Sequence, residues 1–277
     1  MTKMIKWPSI EQYRNVVKNV QHKAAYIGVD ENGDAMFDKR RVSPALNFEG
    51  TVKLHGTNAS VAMNMKASEM WVQSRENIIT PEKDNAGFAM FVRANEDAFN
   101  DLLVTAWSIA NVEWRIKKTI VVFGEWCGGN IQTSVALNQL PKMFVIFGMA
   151  MVDEEGNKEY LTRQQVIDVC DGGREYVSRP HQCSQELSSG IYSIFDMPVY
   201  KMSIDFENPH ESQNILNELT EKVGDECPWA KQFFDQMNGA KVWLENEKVQ
   251  SDKWLSNEVK QKCSEILKDD EVIILEL

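Results

Sequence analysis

Lys53 opens the hexapeptide Lys53-Leu54-His55-Gly56-Thr57-Asn58, a setting in which a lysine can serve as a nucleophile. A lysine amine attacks only after losing its proton, so its ordinary pKa of about 10.4 has to be lowered by burial or by nearby positive charge, a metal ion included. Thr51-Val52-Lys53-Leu54 reads as the end of an apolar strand. Gly56 then falls in a loop where backbone N–H groups could approach a phosphate. Three further segments carry groups of the same kind: Ser74-Arg75, Phe123-Gly124-Glu125-Trp126 and Phe144-Val145-Ile146-Phe147. Taken singly, each has a plain structural reading. Lys53 would be a solvated side chain beside a turn, Arg75 an exposed charge at a strand end, and Glu125 a carboxylate capping a buried strand. Phe147 would be a core ring, and His55 and Asn58 loop polars with local partners.

Behind these segments stand elements with clear periodicity. Tyr13, Val16, Val17 and Val20 lie at helical spacing within residues Ile10 to Lys23, which predicts an opening amphipathic helix. Ala25 to Phe37 reads as a hairpin turning at Asp30-Glu31-Asn32-Gly33-Asp34. That acidic turn is not a calcium loop, because its glycine is the fourth residue instead of the sixth and Arg41 stands where the twelfth-position glutamate belongs. Gly50 to Met65 reads as strand, polar loop and strand, and Met70 to Ser74 as another strand. A helix is expected over Phe88 to Ala110, with Phe91, Phe99, Leu102, Leu103 and Trp107 on its buried side. Buried strands follow at Thr119 to Glu125 and Met143 to Val152, the second turning into a hairpin arm at Asp153-Glu154-Glu155-Gly156-Asn157. Leu161 to Cys170 and Glu211 to Val223 suit helices, the latter started by Asn208-Pro209. A polar helix at Asn257 to Lys268 and a strand at Val272 to Leu275 close the chain. With no repeat and no Gly/Ser/Pro-rich linker, the expectation is a single mixed α+β domain over residues 1–277, mainly antiparallel, whose C-terminal segment diverges from about residue 235.

Composition narrows the partners. The 277 residues include 43% hydrophobic ones, enough for a sizeable core, and 30 basic against 41 acidic side chains give a formal net charge of −11. A protein that coats nucleic acid by bulk charge is thereby excluded, and any nucleic-acid contact has to be a local basic groove on an acidic body. Cys127, Cys170, Cys183, Cys227 and Cys263 are odd in number and never spaced Cys-x-x-Cys, which argues against a zinc site or a disulfide framework. No run approaches the roughly 18 apolar residues of a membrane span. A cytoplasmic protein, or one in the host cytoplasm if phage-encoded, is expected.

Together, the hexapeptide and the three later segments resemble, in order and approximate spacing, the RNA ligase 2 family of ATP-dependent RNA ligases, within the superfamily of covalent nucleotidyltransferases. The resemblance implies the nucleotidyltransferase fold, with Lys53 as the adenylated residue. It also implies Lys53, Leu54, His55, Gly56 and Asn58 around the nucleotide, Arg75 on the nucleotide or the RNA 5′-phosphate, Glu125 on the ribose or the metal, and Phe147 stacked on adenine. ATP and Mg2+ (or Mn2+) are the implied cofactors, RNA ends or nicks the implied partner, and no protein partner is inferable. The implied reaction passes AMP from lysine to an RNA 5′-phosphate before a 3′-hydroxyl seals the break.

Two later family motifs are altered here. Where the family carries Glu-Gly-x-Val, with its glutamate as metal ligand, this chain has Gly239-Ala240-Lys241-Val242. Where the family carries a phosphate-binding lysine pair, Ser256 and Glu258 stand instead, which weakens the expected grip on a triphosphate. Glu245 or Glu247 could replace the metal ligand, and Lys241, Lys248, Lys253, Lys260 or Lys262 the cations, although as a group they also read as solvated surface. The alternative function is therefore a nucleotide- or RNA-binding protein on the ligase fold without complete sealing activity. An enzyme acting on DNA ends or caps is a third reading.

Overall fold

The computed structural model describes residues 3–110, 119–133, 135–173, 176–178 and 189–232. In chain order these form α1 (Tyr13–Ala25), β1 (Tyr26–Val29), β2 (Ala35–Phe37), β3 (Ala45–Gly50), β4 (Gly56–Asn64), β5 (Glu69–Ser74), β6 (Ile78–Ile79), α2 (Phe88–Ala94) and α3 (Glu96–Ala110). There follow β7 (Thr119–Cys127), β8 (Met143–Val152), β9 (Lys158–Tyr160), α4 (Arg163–Gly172), β10 (Ile191–Ser193), β11 (Tyr200–Asp205) and α5 (Pro209–Asp225). The architecture is α+β, with antiparallel sheets and flanking helices, as expected. The described residues divide into two compact units, one of those within 1–6, 53–197 and 226–277 and the other of residues 7–52 and 198–225.

The larger unit is built on a seven-stranded sheet in the order β10-β8-β7-β4-β5-β6, with β9 also on β8. Every pairing in it is antiparallel except β10 on β8. Strand alternation turns Ala59, Val61 and Met63 of β4 to one face, together with Ile120 and Val122 of β7 and Phe144 and Ile146 of β8. Against that face α3 presents Phe99, Leu102, Leu103 and Ala106, a spacing of i, i+3, i+4 and i+7 that makes one continuous stripe. Phe88 and Val92 of α2, and Val166, Val169 and Cys170 of α4, complete this layer. Thr162 and Gln165 form a capping box that starts α4.

On the sheet's other face Gln73 is fully buried and uses its whole amide. Its Oε1 accepts from the Ile5 N–H at 2.8 Å and from the Trp71 indole at 3.4 Å. Its Nε2 donates to the Ile5 carbonyl at 3.2 Å and to Ser60 Oγ at 2.8 Å. The segment before α1 is thus anchored to the sheet by a side chain that mimics a peptide group.

The smaller unit holds the β1–β2 hairpin, the antiparallel pair β3–β11, and helices α1 and α5. Tyr13 donates to the Pro209 carbonyl at 3.0 Å and Gln21 to that of Phe206 at 2.9 Å, which fixes α1 to the β11–α5 connection. The Phe48 and Phe206 rings meet at 6.0 Å between centroids.

Two expectations are revised. The helix foreseen over Phe88 to Ala110 is two helices, broken at Asn95, whose side chain donates to the Phe91 carbonyl at 2.9 Å. An Asn side chain competes with the helical backbone in this way, and Glu96 and Asp97 then favour a fresh N-terminus. Thr51-Val52-Lys53-Leu54 is not a strand end: β3 stops at Gly50 and β4 starts at Gly56, so Lys53 lies in the connection and the Gly-Thr-Asn part of the hexapeptide opens a strand. The elements expected at Asn257 to Lys268 and Val272 to Leu275 lie outside the described residues. No helix among the described residues is long and apolar enough to cross a membrane.

Candidate active site

The start of β4 is seated on the end of β7, with Gly56 opposite Cys127, Thr57 opposite Trp126 and Asn58 opposite Glu125. Directly paired residues share a face, so Asn58 and Glu125 project together on the face opposite the Ala59–Val61 core. The neighbouring Trp126 points the other way, is buried, and lies 5.4 Å from Phe88 and 4.8 Å from Phe91 between ring centroids. Its indole donates to the Ala86 carbonyl at 3.1 Å. One large core side chain therefore fixes the strand that presents the carboxylate.

Glu125 closes the arrangement by accepting the Gly56 N–H at 3.0 Å through Oε1. Burial disfavours its charged form and pushes the carboxyl up to about 7, against the opposing pull of that hydrogen bond and of the positive charges of Lys53 and Arg75. Both cations are thus within electrostatic reach of Glu125. Lys53 and His55 are exposed, Leu54 is buried beside them as an apolar anchor, and Gly56 and Asn58 are half-buried. Arg75 is exposed, with its Nε 3.7 Å from Glu76.

Gly56 has no room for a side chain: a Cβ there would meet the Trp126 carbonyl oxygen at 2.3 Å and the Cys127 Cβ at 2.7 Å. Gly124 is similarly confined, with the Phe144 ring 2.5 Å and the Val145 carbonyl oxygen 2.7 Å from a built Cβ. Close passage of the hexapeptide over β7 is therefore a backbone requirement present without any ligand.

Phe147 is half-buried, two residues beyond Val145, the partner of Glu125, at the point where the β7–β8 register slips between Phe123 and Gly124. Such a bulge re-aims the side chains around it. Cys127 packs as a buried small side chain, and burial pushes its thiol far above the ordinary range, which disfavours the thiolate.

The β4–β7 pairing thus brings Gly56, Asn58 and Glu125 together, Lys53 precedes β4 in the connection, and Arg75 follows β5, whose last residue, Ser74, pairs with Ala59 of β4. Two amides escape recognition in the sequence. Asn85 Nδ2 donates to Thr57 Oγ1 at 3.0 Å, and Gln132 Nε2 donates to the Gly56 carbonyl at 3.2 Å, so both brace the hexapeptide. Only the Gly128-Gly129-Asn130 turn signal before Gln132 hints at the second. Gly239 to Val242, Ser256, Glu258 and the proposed substitutes among Lys241 to Lys262 lie outside the described residues.

Among the described residues no three His, Cys, Asp or Glu side chains gather into a metal-binding group. Glu125 is the carboxylate at this site that could serve as a protein ligand to a divalent ion, with water completing its shell.

A sequence model of the RNA ligase family matches residues 47–276, and the chain belongs to that family. Among solved structures it is similar to the Naegleria gruberi RNA ligase with PPi, at 15% identity over 75% of this chain and 46% of that one, with a TM-score of 0.43. A variant of the same ligase with ATP and Mn gives 14% identity over 74% and 45%, with a TM-score of 0.43. An apo variant gives 17% over 63% and 40%, with a TM-score of 0.39. The chain spans less than half the length of these structures. No curated protein matches it.

Two outcomes follow from this geometry. Gly56→Ala should lower the stability of the ligand-free protein by about 1–3 kcal/mol through overpacking, measured by equilibrium urea unfolding. An unchanged midpoint would show that β7 does not impose the glycine. For Glu125, a folded pKa of about 7 above an unfolded value near 4.5 means that the folded state holds the extra proton, so this group lowers stability as pH rises between those values. Glu125→Gln keeps an acceptor for Gly56 and removes the titration. Relative to wild type, the variant should gain on the order of 2–3 kcal/mol between pH 4.5 and pH 8 without nucleotide or metal. Parallel stability curves for the two proteins would contradict the desolvation of Glu125.

Proposed function

We propose that this chain is an ATP-dependent RNA ligase working through a lysyl-AMP intermediate on Lys53. The observation that supports this most is a desolvated Glu125 that accepts the Gly56 N–H of the hexapeptide and whose charged form Lys53 and Arg75 favour. Membership of the RNA ligase family supplies the reaction class.

In this reading Lys53 Nζ, as the free amine, attacks the α-phosphorus of ATP. A P–N bond forms, the bond to pyrophosphate breaks, and the amine proton is released. The 5′-phosphate of RNA then attacks the same phosphorus, giving an RNA with a 5′-adenylate and freeing the lysine. A 3′-hydroxyl finally attacks the RNA phosphorus, forms the phosphodiester and expels AMP. Arg75 binds the nucleotide or the RNA 5′-phosphate, His55 and Asn58 line the phosphates, Phe147 offers a face to adenine, and Leu54 and Gly56 set the backbone. Glu125 is the candidate protein ligand for magnesium or manganese, which when bound supplies neutralisation of phosphate charge.

The altered late motifs, with Gly239-Ala240 in place of Glu-Gly and Ser256 and Glu258 in place of the lysine pair, favour a second reading. In it the chain binds ATP or RNA without sealing.

The test is a nicked RNA duplex with a labelled 5′-phosphate, offered with ATP and magnesium. Wild type should seal it and Lys53→Ala should not. Lys53→Ala should nevertheless seal an RNA already carrying a 5′-adenylate, because that substrate bypasses the lysine. Sealing of the 5′-phosphate by Lys53→Ala at the wild-type rate would overturn the assignment, and binding without sealing by wild type would favour the second reading.

A further inference from the structure

The smaller unit carries a cationic face on an acidic chain. Helix α1 bears Arg14, Lys18, His22 and Lys23 and no carboxylate, in a protein of net charge −11. Arg14, Lys18 and His22 follow at i, i+4 and i+8, so they form one column with steps of about 6 Å along the helix axis. All three are exposed.

That column runs into a second basic element. The Asp38 N–H donates to the Ala25 carbonyl at 2.8 Å, and Arg41 Nη1 donates to the Tyr26 carbonyl at 2.8 Å, which holds Lys39-Arg40-Arg41 against the C-terminal end of α1. Between them lie aromatic rings. Phe37 lies 4.4 Å from His22 and 5.8 Å from Tyr26 between ring centroids, and Tyr26 and Phe37 remain 44% and 40% exposed.

Of the carboxylates nearby, Glu11, one turn before Arg14, accepts from Asn15 Nδ2 at 3.0 Å, and two others have local partners. Asp38 pairs with Arg40 at 3.0 Å, and Asp30, at the far end of the hairpin, accepts the Asn32 and Asp34 N–H groups. Arg14, Lys18 and Lys39 form no ion pair among the described residues.

We propose that this face, formed by Arg14, Lys18, His22 and Lys39 beside the Tyr26 and Phe37 rings, binds the phosphodiester backbone of RNA. The proposal rests on the RNA ligase reading above. Exposed Arg14, Lys18 and Lys39, without ion pairs among the described residues, suit a polyanion, and exposed rings beside them offer stacking surfaces that tolerate any base. It also locates the local basic surface that an acidic RNA-binding protein requires.

The test uses the full chain with Arg14→Gln, Lys18→Gln and Lys39→Gln combined, all at exposed positions outside the nucleotide site. Binding of a fluorescent nicked RNA duplex is titrated across salt concentrations, alongside ATP-dependent self-adenylation. The variant should bind RNA on the order of tenfold more weakly, the slope of log affinity against log salt should fall by about 2–3, and adenylation should match wild type. Wild-type RNA affinity and slope in the variant, with adenylation intact in both proteins, would overturn this face and leave the ligase reading standing. If wild type neither becomes adenylated nor binds RNA, both fall. Loss of binding to anionic phosphatidylserine vesicles with RNA affinity unchanged would reassign the face to a membrane surface and overturn the proposal.

Discussion

The candidate site depends on how closely the start of β4 passes over the end of β7. Gly56 lies so near the Trp126 carbonyl and Cys127 that no side chain fits, and that proximity lets Glu125 take the Gly56 N–H. Trp126, locked into the aromatic core by Phe88 and Phe91, holds β7 at this depth. Alternation along β7 then does the rest: the residue that anchors the strand faces the helices, and the one before it faces the site. Asn85 and Gln132 brace the same backbone from two loops.

This packing sets the electrostatics of the site. A carboxylate partly withdrawn from water is costly to ionise, and the hydrogen bond from Gly56 and the charges of Lys53 and Arg75 offset only part of that cost. Bringing phosphate groups and a divalent ion to the same place would change that balance, so in the proposed reaction the ligand-free protein holds Glu125 in a state that substrate binding completes.

Elements with a strong local pattern were legible in the sequence. Met143–Val152 has the same bounds in the structure as in the expectation, because a continuous apolar run bounded by turn residues has few other solutions. The hairpin turn at Asp30 and the start of α5 at Pro209 were marked by turn and capping chemistry. The hexapeptide was legible through its resemblance to a family, and its geometry was not. A strand ending at Lys53 was expected because Thr51-Val52-Lys53-Leu54 is β-favouring, yet Gly50 and Gly56 are the positions where strands stop and start. The pairing of β3 with β11 joins segments far apart in the chain and leaves no local signal. The same holds for Gln73 and Ile5, and for Asn85 and Thr57, where single amides gain meaning only from the register that brings their partners to them.

In the proposed reaction Lys53 carries the nucleotide. The most direct measurement is the intact mass of the full chain, first freed of any bound AMP, after incubation with ATP and magnesium, followed by mapping of the modified peptide. If Lys53 is the nucleophile, the chain gains a single adenylate on the peptide containing Lys53, absent with GTP and in Lys53→Ala. No adenylate, or an adenylate on another residue, would contradict it.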